Sequence, residues 1–131
     1  MLTCLSDNLL INNTETKLGV LLFSDLPYFI VSQTGTFGSF ATVNSSVSKI
    51  PADLPEVTSN VVVDVRVILG RRDDDLLHLF CRRLADLLLR FDLKSFVVSF
   101  AVKGSINRYD MMSILSVLEH LYTSSLDSSR M

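Results

Sequence analysis

Any chemistry this chain performs has few places to sit. Residues 67–91 read VILGRRDDDLLHLFCRRLADLLLRF, which puts Gly70, two arginines and three aspartates ahead of His78 and Cys81. A phosphate loop needs several glycines and a lysine followed by Ser or Thr at the helix start. Here Gly70 stands alone, and Asp73, Asp74 and Asp75 fill the place an anion would take at a helix N-terminus. Consecutive side chains on a helix fan out by about 100° and do not converge on one ion, and the spacing is not that of an EF-hand loop. His78 and Cys81 stand at the i, i+3 spacing of a conceivable nucleophile–base dyad, but no third group is evident to orient the base. Cys81 lies near Leu77 and Leu84 and reads as a small core filler. His78 reads as a surface residue, and His120 as a cation near the end of the last helix. No G-x-S-x-G, H-E-x-x-H or C-x-x-C is present. The expectation is a protein with no catalytic residue, no cofactor and no metal, and an enzyme built on Cys81 and His78 is the weakest alternative.

The charged junction has a structural reading that uses every residue. One aspartate caps free N–H groups of the first helical turn, and the others complement the helix dipole. Gly70 permits the sharp exit from a strand. Arg71 and Arg72 are solvated or reach back to the acids. The same five side chains, Arg71, Arg72, Asp73, Asp74 and Asp75, form a charged corner that a partner could use.

The elements around this junction follow from hydropathy spacing. Residues 17–24 (KLGVLLFS), 28–34 (YFIVSQT) and 37–43 are short apolar or β-branched runs separated by turn signals, Asp25–Pro27 and the glycines Gly35 and Gly38. They predict an antiparallel meander. Residues 44–60 hold Ser, Asn, Pro51 and Pro55 and predict a long surface loop. Strands are expected again at 61–69, where Val63, Val65 and Val67 alternate with Asp64 and Arg66, and at 95–103, where Phe96, Val98, Phe100 and Val102 share a face. Two helical stripes follow. The first runs through Leu76, Leu77, Phe80, Leu84, Leu87, Leu88 and Phe91; the second through Met111, Ile114, Leu115, Leu118, Leu121 and Tyr122, opened by an Asn107–Asp110 cap. His78, Arg82, Asp86 and Arg90 sit four apart on the wet side of the first helix, with ion pairs expected along it. The order β-β-β-loop-β-α-β-α describes an α+β domain, a mainly antiparallel sheet with helices packed on it. That domain is expected over residues 15–123, with 1–14 and 124–131 as flexible termini.

Composition narrows the partners. The chain has 131 residues, 48% apolar and 20% charged, with a mean hydropathy of +0.38. No apolar run approaches the roughly 20 residues that cross a bilayer, so no membrane association is expected. The surplus of apolar residues is accounted for by a partner subunit or by a well-packed monomer. A net charge of −2, a pI near 5.5 and the absence of Trp argue against nucleic acid. Cys4 and Cys81 do not suggest a disulfide framework, and the opening MLTCLSDNLLINN has no basic start and is interrupted by Asp7, unlike a signal peptide. A reduced protein of the cytoplasm, extending to the nucleus, is the expectation.

Three segments carry a resemblance: SQTGTFGSFATV, VRVILGRRDDDLLHLFCRRLADLL and SFVVSFAVKGS. Together they resemble the proteasome assembly chaperone 3 family, over about residues 17–122. The resemblance implies a non-enzymatic chaperone that pairs with a second small assembly chaperone of similar fold, or with itself. It implies binding to α-subunits of the proteasome core particle and promotion of α-ring assembly. The loop at 44–60 and the Arg71–Arg72 pair depart from the pattern. Candidate partner contacts are Phe37 and Phe40, which straddle Gly38, with at least one expected in the core by alternation; the others are Arg71, Arg72 and Asp73 to Asp75. The alternative reading is a small longin- or roadblock-like scaffold subunit of a trafficking or signalling complex. Those folds commonly place a helix between their early strands, which the order here does not.

Overall fold

Residues 2–11, 14–23, 26–33, 38–48, 60–70, 75–91, 93–102 and 106–129 are described by a computed structural model. Six strands and two helices run in the order β1 (Leu2–Ile11), β2 (Thr14–Phe23), β3 (Leu26–Gln33), β4 (Ser39–Ser48), β5 (Asn60–Leu69), α1 (Asp75–Leu88), β6 (Ser95–Ala101) and α2 (Arg108–Ser129), with a 3-10 turn at Leu89–Phe91. The strands form one sheet in the order β1-β2-β3-β6-β4-β5. It is a mixed, mostly antiparallel sheet with two helices packed on it, the expected α+β class.

Three expectations need correction. Leu2–Ile11 is a full strand paired antiparallel with β2, so the segment expected as a flexible start is the edge of the sheet. Residues 44–48, assigned to a loop, continue β4, because their pairing with β5 runs on to Ser48 and Asn60 after the β6 ladder ends at Asn44. The expected flexible end is helical as well: α2 runs to Ser129, which leaves His120 well inside the helix rather than near its end.

The last strand decides the topology. β6 enters between the β1-β2-β3 meander and the β4-β5 hairpin, parallel to β3 (Phe29 beside Val98) and antiparallel to β4 (Ala41 beside Val98). A strand in that place is reached only by a crossover, which α1 provides by lying over the sheet between β5 and β6.

Both helices cover the same face. α2 packs on β1 and β2, and α1 on β4 and β5. Strand alternation sends Leu18 and Val20, Phe29 and Val31, Phe96 and Val98 to that side, where all are buried. The helical stripes meet them as spaced: Leu77, Phe80, Leu84 and Leu88 from α1 and Ile114, Leu118, Leu121 and Tyr122 from α2 are buried. Phe29 stands edge-on to Phe96 at 5.4 Å and tilted against Tyr122 at 5.8 Å, while Phe80 lies 4.8 Å from Phe100. Such ring pairs add about 0.5–1.5 kcal/mol each beyond their area. A polar pair interrupts the layer where β2 meets β3: the buried Gln33 Nε2 donates to Thr16 Oγ1 at 3.3 Å.

Local signals hold where they can be followed. Gly70 has φ of +106°, and a Cβ there would lie 2.8 Å from Ser39 Cα, so the strand exit requires glycine. Asn107 caps α2 by accepting from the Asp110 N–H at 2.8 Å. Along α1, Arg82 and Asp86 make no ion pair among the described residues; Arg90 instead reaches Glu119 of α2 at 3.8 Å.

Candidate protein-docking face

With both helices on one side, the opposite face of the sheet is left without a described cover. Its residues are those of the other strand parity: Leu21 on β2, Tyr28 and Ile30 on β3, Val97 and Ser99 on β6, Phe40 and Thr42 on β4. The β6 crossover makes this patch. Tyr28 and Thr42 flank Val97 from opposite sides, and Phe40 flanks Ser99, so Tyr28 and Phe40 meet across β6 with ring centroids 6.4 Å apart. Val97 is buried by its neighbours in the sheet, while Leu21, Tyr28, Ile30 and Phe40 are half-buried and Leu26 is exposed.

The edges of this face are mixed. Lys17 and Glu15 lie toward β1 and Asp64 and Arg66 toward β5, together with the exposed Leu10 on β1 and Val62 on β5; at one end Ser95 Oγ donates to Asn44 Oδ1 at 2.7 Å. An apolar centre with polar groups at its margin suits a protein interface. Near Leu69 the patch broadens: β5 carries an extra residue at Ile68, and Leu69, beside Phe40, is 58% exposed.

Of the partner contacts expected from sequence, Phe40 lies on this face beside Tyr28. Phe37, Arg71, Arg72, Asp73 and Asp74 lie outside the described residues. Asp75 is the exposed first residue of α1. The structure brings Phe40 next to Leu69, and therefore next to the strand end from which the charged junction departs. Sequence reading missed Leu21, Tyr28, Ile30 and Val97. The available signal was that GVLLF and YFIV are apolar at both parities, which a sheet with helices on one face only does not require.

Cys81 is fully buried, and burial pushes its thiol up to about 12, so the nucleophilic thiolate does not form near neutral pH. Burial likewise raises the Tyr122 hydroxyl. Among the described residues no three His, Cys, Asp or Glu side chains gather where a metal could bind, and no helix is long and apolar enough to cross a membrane.

These features define a candidate docking surface, and the comparisons with known proteins supply a family. The profile of the family described as proteasome assembly chaperone 3 matches residues 29–121. The chain belongs to the proteasome assembly chaperone 3 family. Its fold is similar to a chain in the crystal structure of a novel chaperone complex for yeast 20S proteasome assembly, with a TM-score of 0.66 and 16% identity over 93% of this chain and 98% of that one. At that identity the likeness is one of fold. No curated protein sequence matches the chain.

Proposed function

We propose that this chain is a non-catalytic chaperone of proteasome core assembly, which pairs across its open sheet face with a second small chaperone and binds α-subunits while their ring forms. Membership of the family supports the assembly role. The observation that carries the pairing is the half-buried apolar patch of Leu21, Ile30 and Phe40, on the face of the sheet opposite the two helices. The similar yeast chain was crystallised within a chaperone complex, which supports a second chaperone as the occupant. Stacking two such sheets would bury both apolar centres and leave the helices outside. The proposed mechanism is thermodynamic. A scaffold that holds ring subunits in orientation lowers the entropic cost of their association. It must bind the incomplete ring better than the finished one, or it would not leave.

The test is purification of the tagged chain from its own cells, with mass spectrometry of what accompanies it. A second small chaperone and free α-subunits are expected. Vesicle-tethering or signalling subunits in their place would favour the longin- or roadblock-like reading. The proposed compartments, cytoplasm and nucleus, are checked by fractionating the same cells.

A further inference from the structure

A second apolar surface lies on the helical side, away from the sheet face. The gap between α1 and the start of α2 is a groove of about 600 Å³. Its apolar lining includes Leu79, Leu87, Met112 and Leu115. Leu79 is 47% exposed and Met112 59% exposed, large side chains left in water on two neighbouring helices. Neither takes part in the core stripe; both face into the groove from its flanks.

Charge gives the occupant's sign. Arg83, Arg90 and Arg108 line the groove against a single acid, Asp86. Arg90 is engaged with Glu119 at 3.8 Å, but Arg83 and Arg108 are exposed and make no ion pair among the described residues. The groove also ends at the N-terminus of α2, where Arg108 precedes Asp110, the acid of the first turn. In a chain of net charge −2 the groove lining is a local reversal of sign. A volume of this size holds a few side chains, and methionine adapts to varied apolar shapes.

We infer that this groove takes an acidic amphipathic helix of a partner protein, its apolar side chains on Leu79, Leu87 and Met112 and its carboxylates on Arg83 and Arg108. Two neighbouring helices with exposed apolar side chains flanking a groove suit a third helix laid between them. The site lies on the opposite side of the domain from the sheet face, so both can be filled at once. It therefore goes beyond the pairing proposed above and does not depend on it.

The test uses the full chain and fluorescence anisotropy. The probe is a fluorescein-labelled amphipathic peptide of about four helical turns, with leucines at three- and four-residue spacing flanked by glutamates; a second peptide carries lysines instead. The acidic peptide is expected to bind at least about ten-fold more tightly than the basic one, and more weakly as salt rises. The double variant Arg83→Glu/Arg108→Glu should lose at least about ten-fold in affinity, and Met112→Glu should do the same. All three positions are exposed, and a circular dichroism melt verifies that the variants fold. Equal binding of both peptides, binding of neither, or variants that bind like the parent would overturn the inference. So would capture of phosphatidylserine vesicles without peptide binding, which assigns the arginines to a lipid headgroup. Self-association abolished by Met112→Glu, without peptide binding, gives the groove to a second copy and overturns it too.

Discussion

Replacing Ile30 by aspartate tests the sheet face at its centre. Ile30 sits on β3 beside Ser99 of β6 and Gly19 of β2, half-buried and pointing away from the helices. In the isolated chain a carboxylate there still reaches water, so folding loses a partly buried side chain and some strand preference, about 1–2 kcal/mol together. Beneath a docked partner the same carboxylate is stripped of water without a counter-charge. Stranding a charge in this way costs about 3–5 kcal/mol, which is roughly two to four orders of magnitude in Kd. Ile30→Ser removes the apolar area without adding charge and should cost association only about 1–2 kcal/mol. Sedimentation velocity of the tagged chain with its co-purified partner reads the association, and urea melts of the isolated variants read folding. The reasoning fails if Ile30→Asp keeps the complex at parental affinity, or if Ile30→Ser and Ile30→Asp weaken it equally.

Further expectations concern the frame that holds this face. In a Cys4→Ser background, a thiol reagent should modify Cys81 no faster than the chain unfolds; rapid native labelling would contradict its burial. Because the folded thiol titrates at about 12 against 9.0 for the free group, its contribution is fully present below pH 9 and is lost as pH rises toward 12. Alkaline urea melts should show this loss, on the order of 4 kcal/mol at full ionisation, and Cys81→Ala should flatten it. Phe80→Ala, which removes a ring 4.8 Å from Phe100, should destabilise by about 3–5 kcal/mol in a urea melt. Gly70→Ala combines a positive φ with a clash at Ser39 and should cost at least about 1 kcal/mol by the same assay. Asn107→Ala should cost about 0.5–2 kcal/mol and show first as loss of helical signal.

The parts of the fold that sequence reveals are those whose periodicity matches one buried side. Val63, Val65 and Val67 alternate because only one face of β5 meets a helix, and Ile114, Leu115, Leu118 and Tyr122 repeat because α2 has one buried stripe. β1 escapes because Asp7 stands on its inward parity between Leu5 and Leu9, which breaks the alternation a lone strand would show. Residues 44–48 are Ser- and Asn-rich, yet continuous pairing with β5, joined by β6 at Asn44, overrides their weak strand preference, and Asn44 gains the Ser95 hydroxyl. The last turns of α2 are serine-rich as well; Ser125 Oγ donates back to the Tyr122 carbonyl at 2.7 Å and Leu126 packs on the core, so tertiary contact outweighs propensity.

The docking face was less legible for a different reason. Parity says which residues of a strand share a side, but not which strands are neighbours. Tyr28 and Phe40 are drawn together only because β6, a late strand, inserts between β3 and β4. Nothing in the spacing of either residue indicates that insertion. The burial of Cys81 was easier to anticipate, since it lies in an apolar helical stripe that sequence already places toward the core.

The most direct test of the central claim places a photo-cross-linking benzoylphenylalanine at Phe40, on the open sheet face, and in a second protein at Arg82, on the exposed side of α1. Irradiated in its own cells, the Phe40 protein should form an adduct with a second small chaperone, and the Arg82 protein should not. An adduct from position 82 with that chaperone, or none from position 40, would contradict the claim that the side of the sheet opposite the helices is where the second chain sits.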